Sequence, residues 1–178
     1  MQEPVRVALI YGSTRENRFC DTVAHWAADR IWNDGGFRLD FVDPRDPGDF
    51  AKTADAADAF VVVTPEYNHS YPGPLKILID SLSREWWFKP VGFVSYGGIS
   101  GGLRAVEHLR GVFAELNAVA IRDCVSFANA PDQFDAEGCP VDPEAASRAM
   151  ARMLASLDWW ARALRAARRA EQCSGVAA

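Results

Sequence analysis

The sequence lacks the features of a membrane protein, a secreted protein or a general nucleic-acid-binding protein. It has no apolar run long enough to cross a bilayer, and its N-terminus has an acidic residue, Glu3, and a strand-like pattern where an export signal would have basic residues and an apolar core. The formal net charge of −5 provides no basic excess with which to replace the counterions of nucleic acid. We therefore expect a cytoplasmic protein with no nucleic-acid and no membrane partner.

Cysteine is also scarce and is distributed without a recognisable pattern. The four cysteines, at positions 20, 124, 139 and 173, form no C-x-x-C pair, and no histidine lies at zinc-finger spacing from them. We predict reduced thiols and no metal site. The 178 residues, 49% of them hydrophobic, are enough for one domain over residues 1–170, and we expect the last residues, 171–178, to be a disordered tail.

Runs rich in Val, Ile and Phe alternate along the chain with segments of helical periodicity. This alternation is typical of a parallel sheet with helices on both faces. We predict the α/β class, as a flavodoxin-like three-layer sandwich with a five-stranded parallel sheet of order 2-1-3-4-5, which opens a crevice at the carboxyl ends of strands one and three. The predicted strands are residues 5–11, 37–43, 59–64, 91–96 and 118–125.

The loop after the first strand, "GSTRENR", has the composition of a phosphate site. It combines a glycine, two hydroxyls, the arginines Arg15 and Arg18, and the N–H groups of a helix that begins near Phe19. The alternative is that Ser13 or Thr14 simply caps that helix. The loop is neither a Walker A motif nor a G-x-G-x-x-G fingerprint, which favours a mononucleotide phosphate.

The loop after the third strand lies in "TPEYNHSYPGPLKILID", and the loop after the fourth strand is "SYGGISGG". Pro65 fixes a backbone angle, so we expect the following peptide groups to face outward, toward the polar edge of a flat heterocycle. The glycine pairs allow a planar ring to lie against the backbone. In each loop a structural alternative stays open, because residues 72–74 can start a helix and glycines also serve tight turns.

With these motifs, the chain resembles the NADPH-dependent FMN reductase family, on "GSTR", "PEYNHSYPGPLK" and "KPVGFVSYGGISGG". The resemblance implies that Ser13, Arg15 and the N–H groups through Phe19 hold the FMN phosphate. This chain has the shorter "ENRF" where many members have a further serine and asparagine, so Asn17 and Arg18 would substitute. The residues implied to flank the isoalloxazine and ribityl groups are Pro65, Glu66, Tyr67, Asn68, Ser95, Tyr96, Gly97 and Gly98.

The resemblance also implies an enzyme that transfers a hydride from NADPH or NADH to bound FMN. The electrons would then pass to a quinone-like or other small electron acceptor, or to flavin itself. Because the flavin supplies most of this chemistry, we predict no catalytic acid, base or nucleophile. The alternative is a flavodoxin-type electron carrier, but such carriers usually have a hydroxyl-rich phosphate loop without arginines.

A homodimer or a dimer of dimers is a further implication, because family members commonly complete the flavin pocket across a subunit interface. The stretch "REWWFKP" agrees with it. Adjacent Trp86 and Trp87 cannot both point into one core, so we expect at least one at the surface, where a partner subunit would cover it. The alternative is a local hydrophobic cluster.

Overall fold

Five parallel strands form one sheet of order β2-β1-β3-β4-β5 in the computed structural model, which describes residues 3–170. The prediction of a flavodoxin-like sheet is confirmed, and β3 is its central strand. Val, Ile and Phe are abundant in the buried strands because β-branched and aromatic side chains pack well on a pleated surface. The strands are β1 Val5–Tyr11, β2 Phe37–Val42, β3 Ala59–Pro65, β4 Pro90–Gly97 and β5 Val119–Ala128.

Helices cover both faces of the sheet. Residues of α1 and α5 pack in one hydrophobic core, and residues of α2, α3 and α4 pack in the other. Within residues 3–170, no helix has the length and apolar character needed to span a membrane. The helices are α1 Cys20–Asp34, α2 Phe50–Ala56, α3 Gly73–Asp80, α4 Leu103–Glu115 and α5 Pro143–Ala170.

Strand β3 is buried along its whole length and contributes to both cores. Its side chains alternate between the two faces, so that Val61 and Val63 join the core with α1 and α5, whereas Phe60 and Val62 join the other. A strand buried on both faces has no solvated side, which is why its sequence shows no polar alternation.

The adjacent tryptophans separate as the sequence predicts. Trp86 is fully buried, its ring centroid lies 4.4 Å from that of Phe60, and its indole Nε1 donates to the Ile79 carbonyl at 3.1 Å. Trp87 is only partly buried. One of the pair is therefore a core residue and the other reaches the surface.

Charged residues connect α5 to the amino-terminal edge of the sheet. Asp58, immediately before β3, accepts a hydrogen bond from Arg165 at 2.9 Å and lies 3.5 Å from Arg168. It also accepts from the backbone N–H of Arg6 at 3.1 Å. The Asp58 and Arg165 side chains are only 14% and 11% exposed, so water screens this pair much less than a surface pair.

We expect Asp58→Ala to lower the free energy of unfolding by about 2–3 kcal/mol, because it leaves Arg165 without its carboxylate partner and the backbone N–H of Arg6 without its acceptor. Asp80→Ala is the matched control, since it removes the exposed partner of Lys76 and should cost less than about 0.5 kcal/mol. Urea unfolding of both variants measures the difference. Equal losses would show that the Asp58 contacts do not stabilise the fold.

Candidate functional site

The loops after β1, β3 and β4 meet at the carboxyl edge of the sheet. The backbone N–H of Gly12 donates to the Val63 carbonyl at 2.7 Å, and the N–H of Glu66 donates to the Tyr96 carbonyl at 3.1 Å. A Cβ at Gly12 would lie 2.7 Å from the same Val63 oxygen. Glycine is therefore required where the first loop leaves the sheet, because the chain passes directly against β3.

A hydrogen bond between two hydroxyl groups joins the first loop to the second. Ser13 is fully buried, and its Oγ lies 2.7 Å from the hydroxyl oxygen of Tyr67. The exposed guanidinium group of Arg15 stacks on the same tyrosine, with its central carbon 3.7 Å from the ring centroid. The structure thus brings together three of the residues that the sequence predicts for a cofactor site.

The second loop makes a tight reversal rather than an open edge. The backbone N–H of Tyr67 donates to the Ser70 carbonyl at 2.8 Å, and the Ser70 N–H donates back to Tyr67 at 3.1 Å. Asn68 and His69, between them, have φ values of 49° and 74°, in the left-handed region. The expectation that all peptide groups of residues 66–68 face outward is therefore wrong for Glu66 and Tyr67, whose N–H groups bond within the protein.

The structural alternative for the end of this loop is confirmed. Pro72 is the N-cap of α3, and Gly73 and Pro74 form its first turn. Proline suits this position because the N–H that it lacks would have no partner within the helix. The segment therefore has two parts, a reversal at residues 67–70 and an ordinary helix start.

The carboxylate of Glu66 joins the second loop to the third. It accepts from the Ser100 hydroxyl at 2.5 Å, and from the Arg104 side chain at 2.9 Å and backbone N–H at 3.2 Å. Burial alone would raise the pKa of this carboxyl, but the bonds from Ser100 and Arg104 outweigh it, and the pKa is lowered. Glu66 therefore remains ionised at neutral pH. Its oxygens accept hydrogen bonds from the third loop, through Ser100, and from the start of α4, through Arg104.

Gly98 differs from the last two glycines of the third loop. Gly101 and Gly102 have φ values of 61° and 84°, and a Cβ at Gly102 would lie 2.8 Å from the backbone N of Tyr96. Gly101 and Gly102 therefore form a tight turn, which is the structural alternative given for this loop from the sequence. A Cβ at Gly98 would instead meet nothing within 4 Å, so Gly98 faces open space, as a ring-binding glycine should.

Ser95 and Tyr96 lie beneath this loop. The fully buried Ser95 hydroxyl donates to the Gly101 carbonyl at 2.8 Å, so its observed role is to fix the loop. Tyr96 is 6% exposed, and its ring centroid lies 5.9 Å from that of Phe19. Burial raises the pKa of the Tyr96 hydroxyl, which therefore stays protonated.

Helix α1 begins without the predicted cap. Its N-cap is Phe19, with no side-chain hydrogen bond, so neither Ser13 nor Thr14 caps it and that alternative is wrong. The exposed Asn17 has a φ of 49°, a left-handed conformation that asparagine tolerates. The N–H groups of the first helical turn thus receive no side-chain acceptor from the N-cap residue.

The structure gives Arg18 a different role from the predicted phosphate contact. Its side chain is 4% exposed and pairs with two carboxylates, Asp21 at 2.7 Å and Asp43 at 2.5 Å. Its guanidinium group also donates to the Ser13 carbonyl and lies over the Tyr11 ring. The paired guanidinium of Arg18 holds the loop together. Of the two arginines in the first loop, Arg15 is therefore the exposed one.

Sequence reasoning missed Arg45, in the loop after β2. Its side chain donates to the carbonyl oxygens of Thr14, at 3.3 Å, and Arg15. The signal was available in the predicted strand order, because β2 lies beside β1 and the loop "DPRDPG" leaves the same edge of the sheet. Ser100 and Arg104 were missed as well.

The sheet order and the joined loops at its switch point define a flavodoxin-like α/β protein with a candidate site for a nucleotide-type cofactor. The chain belongs to the NADPH-dependent FMN reductase family, whose profile matches residues 5–132. The resemblance stated from the loop motifs is thereby confirmed.

Comparisons with individual proteins agree with the family. The chain is 41% identical to an NAD(P)H:quinone oxidoreductase of Solanum tuberosum over 60% of this chain and 58% of that protein. It is 32% identical to an NADPH:quinone oxidoreductase of Arabidopsis thaliana over 86% and 90%. The match covers only part of the first relatives. The chain spans 58% of the length of the Solanum tuberosum protein, and 60% and 50% of the lengths of two others.

A solved structure of the same fold is the flavoenzyme NAD(P)H:(acceptor) oxidoreductase FerB from Paracoccus denitrificans. It superimposes with a TM-score of 0.72 over 89% of this chain and 98% of that one, at 20% identity. At this identity the likeness is one of fold.

We expect Gly102→Ala to lower the free energy of unfolding by about 2–3 kcal/mol, because alanine is strained at a φ of 84° and its Cβ would press on β4. Gly98→Ala, in open space, is the control and should change stability by less than about 0.5 kcal/mol. Urea unfolding without added ligand compares them. A Gly98→Ala loss as large as that of Gly102→Ala would contradict the division of roles.

Proposed function

We propose that the chain binds FMN at the carboxyl edge of the sheet and uses it to oxidise NADPH or NADH. The observation that carries the proposal is that the loops after β1, β3 and β4 are joined there by partly buried polar bonds, through Ser13 with Tyr67 and Glu66 with Ser100. Loops that are ordered before binding lose little entropy when a ligand arrives. The family membership of the chain supports this cofactor.

The first loop suits the phosphate group. Arg15 is exposed beside it, and the N–H groups at the start of α1 face no side-chain cap. A dianionic phosphate at this point would interact favourably with the positive end of the helix. We assign phosphate binding to Arg15 and to N–H groups between Thr14 and Phe19, with Asn17 at the rim, and we assign Ser13 and Arg18 to holding the loop.

The second and third loops suit the flavin ring. Gly98 leaves space beside the backbone, and we assign Tyr67, Asn68 and Pro65 to the opposite side of the ring. Gly97 and Tyr96 complete the third-loop side, with Ser95 beneath them. These residues provide peptide edges and two aromatic side chains, which is the composition expected where a planar heterocycle is bound.

FMN, when bound, supplies the hydride-accepting chemistry. The chain contributes binding, orientation and a polar surround, and we assign no residue as acid, base or nucleophile. Glu66 fits this view because its lowered pKa and its bonds to Ser100 and Arg104 keep it from donating a proton. The electrons would pass next to a quinone-like or other small acceptor, or to free flavin.

We propose further that the protein is cytoplasmic, has one domain over residues 1–170, and assembles as a homodimer or a dimer of dimers. Exposed apolar side chains beside the site support an interface: Ile99 is 85% exposed and Leu103 is 48% exposed. The proposed tail, residues 171–178, lies outside the described residues.

The test is whether the purified protein retains FMN and whether a nicotinamide nucleotide reduces it. We expect protein incubated with FMN to stay yellow after gel filtration, and NADPH or NADH to bleach that colour without oxygen and without a partner protein. Free FMN at the same concentration is the control for uncatalysed reduction. Absorbance near the flavin maximum follows both steps.

Two failures have different meanings. No retained colour, together with no binding heat in calorimetry, would refute the cofactor. Retained FMN that neither nucleotide bleaches would refute the reductase and favour the electron-carrier alternative.

A further inference from the structure

Three consecutive carbonyl groups of the first loop accept hydrogen bonds from arginine side chains. The Ser13 carbonyl accepts from Arg18, and those of Thr14 and Arg15 accept from Arg45. Exposed loop carbonyl groups ordinarily bond to water, and the peptide groups that carry them can change orientation. Here two guanidinium groups fix the direction of three peptide groups in succession.

Both arginines are anchored on one carboxylate, Asp43, at the end of β2. Its two oxygens accept from the Arg18 guanidinium at 2.8 Å and 2.5 Å, and one of them also accepts from the backbone N–H of Arg45 at 2.9 Å. Burial alone would raise the pKa of Asp43, but the hydrogen bonds from these arginines outweigh it and the pKa is lowered. Asp43 is therefore ionised throughout the neutral range.

Fixing the carbonyl groups also fixes the N–H groups. In a trans peptide the C=O and N–H bonds point in opposite directions, so the N–H groups of Thr14, Arg15 and Glu16 face away from the arginines. The Arg15 N–H makes one long bond to Ser13 Oγ, at 3.3 Å. Within residues 3–170, the N–H groups of Thr14 and Glu16 donate to no protein acceptor. Successive N–H groups with a shared direction form an anion site.

We propose that Arg18 and Arg45, anchored on Asp43, are positioning residues that turn the N–H groups of the first loop toward the phosphate of the cofactor. The proposal rests on the proposed function, since it takes FMN to be the ligand. Neither arginine touches the phosphate in this account. They act on it through the peptide groups whose carbonyl oxygens they bind.

The electrostatic effect and the positioning effect predict opposite changes in FMN affinity for one substitution, Asp43→Asn. Asp43→Asn removes a negative charge from the neighbourhood of a phosphate dianion, so a purely electrostatic effect would strengthen FMN binding. It also weakens the anchor of both arginines, because an amide keeps one neutral acceptor oxygen in place of two charged ones, so the positioning account predicts weaker binding. Arg45→Lys is complementary, because it keeps the positive charge and loses the planar fork that spans two carbonyl groups.

Calorimetry with FMN and with riboflavin, which lacks the phosphate, separates these effects. We expect Asp43→Asn and Arg45→Lys each to weaken FMN binding by about 10-fold, as for the loss of well-oriented bonds to a charged group, and riboflavin binding by less than about 2-fold. Asp29→Asn and Arg148→Lys are matched controls at exposed positions on α1 and α5, and should leave both affinities unchanged. Thermal unfolding without ligand ensures that each variant is folded at the temperature of the titration.

Three results would overturn the proposal. FMN affinity that rises or stays constant in Asp43→Asn would show that charge outweighs orientation. Retention of the full affinity by Arg45→Lys would show that any cation suffices there. Equal losses for FMN and riboflavin would show general damage to the fold. If the unaltered protein binds no FMN, the proposed function fails as well, whereas normal binding with unaffected variants refutes only the positioning roles.

Discussion

The position of β3 at the centre of the parallel sheet is the constraint on which the candidate site depends. Parallel strands bring their carboxyl ends to one edge, and the pairing of β3 with β1 and β4 places its exit between theirs. The loop after β1 then bonds to β3, from the Gly12 N–H to the Val63 carbonyl, and the loop after β3 bonds to β4, from the Glu66 N–H to the Tyr96 carbonyl. The site is therefore built on the most deeply buried part of the fold.

Buried polar contacts turn this proximity into a defined geometry. Ser13 and Glu66 are little exposed, and each connects a loop to its neighbour with bonds that would be costly to leave unmade. On the other side of the first loop, Asp43 organises Arg18 and Arg45. Polar residues at this edge thus have two kinds of role, since some hold the loops and others, such as Arg15, remain available to a ligand.

The sequence predicts the fold well, and with it which loops meet at one edge of the sheet, because the strands follow from local patterns. Runs such as "FVVV" indicate buried strands, and the strand order determines which loops meet. The roles of single side chains are harder to predict from the sequence. Arg18 and Ser95 have the right chemistry for cofactor contacts, yet Arg18 bonds to Asp43, 25 residues away in sequence, and Ser95 bonds to Gly101 across the turn of its own loop. Such pairings depend on three-dimensional packing and leave no local signal.

The central claim, that loops after three strands form one FMN site, is tested most directly by hydrogen exchange of the backbone amides with and without FMN. The account predicts slower exchange on FMN addition in residues 12–19, 65–70 and 96–102 together, with little change at the opposite edge of the sheet around Asp58. Riboflavin should protect the last two segments and leave the first largely unchanged. Protection confined to one segment, or located at the opposite edge, would contradict the account.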